Sequence, residues 1–160
     1  MDKFFILGLP RSRTFWLSEF LGCMHEGLHY YQDYNDFMKS EYIGDSTTCY
    51  PWIKDYIKNH KKVVIDRDID DAWVSSTRLF PNIEYETLLE MQEELDEIDD
   101  CLRVKYEDIN DNLKEIWQYC IGDGFDFRRA EKLKTVHLEN YPLIKKAQVL
   151  LDAYYDNHSY

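Results

Sequence analysis

Apolar residues fall into short blocks whose period changes along the chain. Phe4, Phe5, Ile6 and Leu7 form an unbroken run that stops at Gly8, the pattern of a strand buried on both faces. After the loop Leu9-Pro10-Arg11-Ser12-Arg13-Thr14, apolar residues return as Phe15, Trp16, Leu17, Phe20 and Leu21. Trp16/Phe20 and Leu17/Leu21 are i,i+4 pairs, so the loop is predicted to open an amphipathic helix. Residues 23–31 read as a short second strand and residues 33–40 as a short helix. Residues 41–46 read as a strand or extended segment ending in a turn. Residues 51–59 read as a helix with Trp52, Ile53, Tyr56 and Ile57 on one side.

The β-branched stretch from Lys62 to Asp66 predicts a second buried strand. Asp70 or Asp71 is expected to cap the next helix, which runs through Ala72, Trp73, Val74 and Thr77 and is ended by Pro81. Leu88, Met91, Leu95 and Ile98 form the apolar stripe of a helix over 84–98. Nine of the 17 residues from Glu84 to Asp100 are acidic, which describes a solvated outer face, with a surface for a cationic partner as the alternative. Residues 101–105 read as a strand. Ile109, Leu113, Ile116, Trp117 and Cys120 mark a helix stopped at Gly122-Asp123-Gly124. A short helix near 128–135 and a last one over about 141–155 complete the reading. Strands separated by helices predict an α/β fold of three layers, a mostly parallel sheet with helices on both faces. Ligands in such folds sit at the carboxyl ends of the strands, so the 8–14 loop and the Asp66-Arg67 corner should share one edge.

Composition narrows this picture. The 160 residues suit a single domain over 1–160 that buries about two-thirds of its unfolded surface. A net charge of −12 argues against nonspecific nucleic-acid or anionic-membrane binding, both of which need a positive field. The four cysteines lack any CxxC spacing and read as free thiols of a reducing compartment. The first apolar block breaks at Pro10-Arg11, too early for a signal-peptide core. A cytoplasmic protein is the expectation.

Against this acidic background the 8–14 loop stands out. Strand, tight turn and helix would direct backbone N–H groups and a helix N-terminus to one point, which favours an anion. Arg11 and Arg13 add forked cations, and Ser12 and Thr14 add hydroxyl donors. The alternative is arginines that are solvated or paired with nearby acids. A Walker A loop counted from Gly8 needs Gly at 13, Lys at 14 and Ser or Thr at 15; Arg13, Thr14 and Phe15 occupy those positions.

Two motifs together carry a resemblance. Pro10-Arg11-Ser12-Arg13-Thr14-Phe15-Trp16 and Arg67-Asp68-Ile69-Asp70-Asp71-Ala72-Trp73-Val74-Ser75 resemble the first and second motifs of the sulfotransferases that use 3′-phosphoadenosine 5′-phosphosulfate (PAPS). Tyr106-Glu107-Asp108 and Gly44-Asp45-Ser46 match further family segments more loosely. The likeness runs through about the first 110 residues. It implies a P-loop nucleoside triphosphate hydrolase-like fold and PAPS as co-substrate. It implies that Arg11, Ser12 and Thr14, with Arg13, Phe15 and the loop amides, hold the 5′-phosphosulfate. Arg67 and Ser75 would hold the 3′-phosphate. This sequence departs from the family at Arg13, where the family has glycine, at Phe15, where threonine is common, and at Ile69, where proline is usual.

The resemblance implies sulfuryl transfer to a hydroxyl or amine, on a small-molecule or carbohydrate acceptor. Arg11 is the candidate for stabilising charge on the departing phosphate. Glu26 is the first candidate for the base that takes the acceptor proton and His25 the second; the alternative is that both are ordinary polar residues at a strand end. His25 and His29 have ligand spacing for a helix, but the segment reads as extended, so no metal site is expected. Arg128 and Arg129 either reach the donor or acceptor or pair with acids. Trp52 and Trp73 are expected in the core, with adenine stacking as the alternative. The competing functions are a nucleotide-binding module without transfer activity and a divergent P-loop kinase.

Overall fold

Five strands and seven α-helices alternate along residues 2–135, the part of the chain that the computed structural model describes. The strands are β1 (Phe4–Gly8), β2 (Met24–His25), β3 (Gly44–Thr47), β4 (Lys61–Asp66) and β5 (Leu102–Lys105). The helices are α1 (Thr14–Leu21), α2 (Tyr34–Lys39), α3 (Tyr50–Ile53), α4 (Ile69–Thr77), α5 (Tyr85–Asp96), α6 (Leu113–Cys120) and α7 (Phe127–Lys134). The strands form one all-parallel sheet in the order β2-β3-β1-β4-β5. This is the expected α/β architecture, a sheet flanked by helices.

The register explains the unbroken apolar run of β1. Phe4 and Ile6 face one side with Val63, Ile65 and Val104, packed under Leu17, Phe20, Ile116 and Ala130. Phe5 and Leu7 face the other side with Val64, packed under Phe37, Ile53, Leu88 and Leu95. A central strand with both faces covered has no polar face to show. β3 lies so close that a Cβ on Gly44 would stand 2.3 Å from the Phe4 carbonyl oxygen; only glycine permits that pairing.

Three of the chain's 19 lysines and arginines, Lys3, Lys62 and Arg103, hold backbone carbonyls inside the fold. The Lys62 ammonium donates to the carbonyls of Lys58 and His60, and Lys3 donates to those of Ser40 and Tyr42. Arg103 donates to the carbonyls of Leu95, in the last turn of α5, and of Ile98 just beyond it, and pairs with Asp66 at 2.9 Å. Each cation satisfies carbonyls that a helix or turn end leaves open.

Several boundaries differ from the sequence reading. The second strand is only two residues long, because Glu26 turns into the left-handed region (φ 53°) and begins a 3₁₀ turn over Gly27–His29. The helix expected over 51–59 ends at Ile53; the Lys58 and His60 carbonyls beyond it turn to Lys62 instead. Asp68, not Asp70 or Asp71, caps α4, its carboxylate accepting from the Asp71 N–H at 3.0 Å. Asp70 and Asp71 occupy the first turn, where their charge suits the helix dipole. A 3₁₀ segment over Tyr106–Asn112 precedes α6. Trp52 is 60% exposed rather than in the core. The helix expected over 141–155 lies outside the described residues. Among those described, no helix is long and apolar enough to cross a membrane.

Candidate functional site at the carboxyl edge of the sheet

Parallel strands bring their carboxyl ends to one edge, and both informative motifs lie there. β1 ends at Gly8, and the loop passes through two left-handed residues, Arg11 (φ 69°) and Arg13 (φ 62°), before α1 begins at Thr14. The position where the resembling family carries glycine thus keeps the backbone conformation that glycine favours, at a strain of about 1–3 kcal/mol for a non-glycine residue. The Arg13 side chain lies over the Trp16 ring (4.2 Å to its centroid) and donates to Asn110 Oδ1 at 2.9 Å. α1 has no acidic residue in its first turn to offset its positive end.

Inside the loop, Ser12 is fully buried and its Oγ has no hydrogen-bond partner among the described residues. Thr14, two residues on, is also buried, and its carbonyl accepts from Ser46 Oγ at 2.6 Å. A buried hydroxyl without a partner is uncommon and calls for a ligand or a reason. Phe15 meets the His25 ring edge-on at 5.3 Å.

The second motif closes on the first. Arg67, just past β4, donates to the carbonyl oxygen of Arg11 and stacks on Tyr106, 4.0 Å from its ring centroid. Its Nε is buried and has no hydrogen-bond partner among the described residues. Arg11 Nε donates to Ser75 Oγ at 3.2 Å across 64 residues of sequence. Arg11, Arg67 and Ser75 are therefore one cluster, with Ser12 next to Arg11 in the loop; it is rich in donors, which suits an anion.

Further along the same edge lies a second group of different chemistry. The Glu26 carboxylate accepts from Thr47 Oγ1 at 2.9 Å, the Thr48 N–H at 2.8 Å and the Cys49 thiol at 3.2 Å. His29 Nε2 stands 3.8 Å from Cys49 Sγ. Burial first, and the Glu26 charge second, push the Cys49 thiol up to about 12. His25 Nδ1 lies 2.9 Å from the Ser46 carbonyl oxygen. A carbonyl only accepts, so Nδ1 carries the proton and Nε2 keeps its lone pair. Burial lowers the His25 pKa and holds the ring neutral.

Under this group sits Asp45, fully buried on β3. Its carboxyl accepts from the Gly27 N–H (3.1 Å to each oxygen) and from the Tyr34 hydroxyl at 3.0 Å. That bond is what turns the chain after Glu26. Burial raises the Asp45 carboxyl to about 7.

Other candidates fall elsewhere. Arg129 donates to the Glu19 carbonyl oxygen near the end of α1, so it tethers α7 to α1; among the described residues it neither pairs with an acid nor joins this cluster. Arg128 is exposed. Trp73 packs against the second core face and meets Tyr85 edge-on at 5.6 Å. The sequence reading missed Thr47, Cys49 and Asn110. No local pattern marks them; Thr47 and Cys49 are signalled only by following the Gly44-Asp45-Ser46 segment.

No protein-family model and no curated protein matches the chain. Among solved structures, the fold is similar to the crystal structure of mouse sulfotransferase SULT7A1 complexed with PAP, with a TM-score of 0.52 and 17% sequence identity. The likeness covers 82% of this chain and 62% of that one. At that identity it is a likeness of fold.

Proposed function

We propose that the protein is a PAPS-dependent sulfotransferase that moves a sulfuryl group to a hydroxyl or amine acceptor. The observation that carries this reading is the Arg11 Nε to Ser75 Oγ contact at 3.2 Å. It joins the two phosphate grips that the resemblance implies, as a single nucleotide with 5′ and 3′ phosphates would need. The unpartnered Ser12 Oγ and Arg67 Nε fit such a dianionic ligand.

In this reading Arg11, Ser12 and Thr14, with the loop N–H groups, hold the 5′-phosphosulfate, and Arg67 and Ser75 hold the 3′-phosphate. Arg13 is engaged with Trp16 and Asn110, so it contributes its backbone and a brace for the loop. Phe15 contributes its position against His25. The acceptor oxygen or nitrogen forms the new bond to sulfur as the bond from sulfur to the bridging phosphate oxygen breaks. Arg11 offsets the charge that develops on that oxygen. The acceptor proton goes to His25 Nε2, the lone pair left by the Nδ1 to Ser46 bond. This reverses the sequence-based order of His25 and Glu26, because three donors already occupy the Glu26 carboxylate.

The test is a thermal-shift series without magnesium. 3′-Phosphoadenosine 5′-phosphate should raise the melting temperature more than ADP does, and Arg67→Ala should abolish the difference. Equal shifts for the two nucleotides overturn the donor assignment. Turnover of labelled PAPS across hydroxyl and amine acceptors then reads the transfer itself.

A further inference from the structure

Three side chains at the β2/β3 end of the edge have the identity and spacing of a transition-metal site. Glu26 Oε2 and Cys49 Sγ are 3.2 Å apart, Cys49 Sγ and His29 Nε2 3.8 Å, and His29 Nε2 and Glu26 Oε2 4.0 Å. A tetrahedral zinc ion with bonds of about 2.0–2.3 Å holds its ligand atoms about 3.3–3.7 Å apart. The two sides that meet at Cys49 need adjustments of a few tenths of an ångström, and the His29–Glu26 side of about half an ångström, within reach of an exposed His29 side chain.

The geometry points to a Zn²⁺ site formed by Glu26, His29 and Cys49. It is independent of the transfer reaction proposed above. Thiolate, imidazole and carboxylate together select zinc-class ions over magnesium or calcium, which take oxygen ligands. Charge also balances: one carboxylate, one thiolate and a neutral imidazole offset a dication. On binding, the S–H bond of Cys49 breaks, a Zn–S bond forms, and the proton leaves to solvent.

The fold presets the three ligands. Glu26 caps the 3₁₀ turn that His29 ends, and the His29 N–H donates to the Glu26 carbonyl oxygen at 3.0 Å, which keeps the two residues together. Cys49 follows β3, and its N–H is held by Thr47 Oγ1 at 2.9 Å. Thr47 Oγ1 donates to Glu26 Oε2 and the Thr48 N–H to Oε1, orienting the carboxylate as outer partners do in zinc sites. Cys49 is buried, while the His29 side chain is 67% exposed, so the site has both a rigid base and an open entry. Three protein ligands leave the fourth position to water.

The experiment is titration of the reduced full-length chain with Zn²⁺ against a chromophoric chelator, and with Co²⁺ by absorption. One equivalent should bind, with a thiolate-to-cobalt charge-transfer band and the strong visible bands of a four-coordinate ion. Cys49→Ala should remove the band, and His29→Ala, at an exposed position that the fold tolerates, should weaken binding at least about tenfold. Circular dichroism confirms that each variant is folded. Absence of the charge-transfer band in the wild type, or Zn²⁺ affinity unchanged in His29→Ala, overturns the site. The 3′-phosphoadenosine 5′-phosphate shift of the same samples is read separately, so failure of the metal site and failure of the donor assignment are distinguishable.

Discussion

At the carboxyl ends of β1 and β4 the chain gathers Arg11, Arg13 and Arg67; at the ends of β2 and β3 it gathers Glu26, His29 and Cys49. Both corners belong to one sheet edge, yet they are held in different ways. The first is fixed by a continuous loop with two left-handed arginines and by α1 opening directly behind it. The second depends on neighbours across strands. Asp45 pins Gly27, and Thr47 and Thr48 pin Glu26. The first corner presents donors for an anion. The second presents acceptors and a thiol, which suit a proton or a soft cation. Lys3, Lys62, Arg103 and Arg129 are engaged by backbone carbonyls elsewhere, whereas Arg11 and Arg67 stand together at this corner, joined to Ser75 and to the loop backbone.

The sharpest break between the corners is His25→Ala. Turnover should fall about 10²–10⁴-fold, the usual contribution of a general base, while the thermal shift with 3′-phosphoadenosine 5′-phosphate persists. Turnover unchanged in this variant would remove His25 from the chemistry.

The next effect is a pH dependence that belongs to the second corner. The Asp45 carboxyl moves from an ordinary 3.8 to about 7 in the fold. The folded state therefore binds more protons than the unfolded chain. The stability this contributes is full below about pH 4 and is lost as pH rises to about 7. A shift of this size corresponds to about 4 kcal/mol. The groups facing Asp45 are the Tyr34 hydroxyl, Glu26, Cys49 and Cys23. Asp45→Asn keeps an acceptor for Gly27 and should flatten this part of the curve; identical slopes for the two proteins between pH 4 and 7 would refute the assignment.

Arg67→Ala breaks the first corner alone. Loss of a charge-assisted hydrogen bond should weaken 3′-phosphoadenosine 5′-phosphate about tenfold to a hundredfold by calorimetry, with ADP affinity nearly unchanged. The smallest effect is Thr47→Val. It removes one donor to Glu26 and the acceptor of the Cys49 N–H. Denaturant unfolding should show a loss of about 1 kcal/mol, and the nucleotide shift should stay as in the wild type.

The difference between the corners is also a difference in legibility. The first is written in contiguous sequence, a strand, a basic turn and a helix, with Arg67 at the end of the next buried strand. What the sequence reading did not foresee is that Arg13 keeps the left-handed backbone expected of glycine, because stacking on Trp16 and the bond to Asn110 hold it there. The second corner is barely legible. A strand expected over 23–31 is cut at His25 because a buried carboxylate 18 residues away takes the Gly27 N–H. Cys49 and His29 meet only after that turn is made.

The alternation of apolar blocks and amphipathic stripes determined the α/β architecture, the covered central strand and the sheet edge that both motifs share. Those are consequences of local periodicity, since a strand apolar on both faces has to be buried on both. Which polar groups face one another across that edge was decided by tertiary structure. Arg11 finds Ser75 at 3.2 Å, and Glu26 finds Cys49 at 3.2 Å, only because parallel pairing places strands distant in sequence side by side in a fixed register.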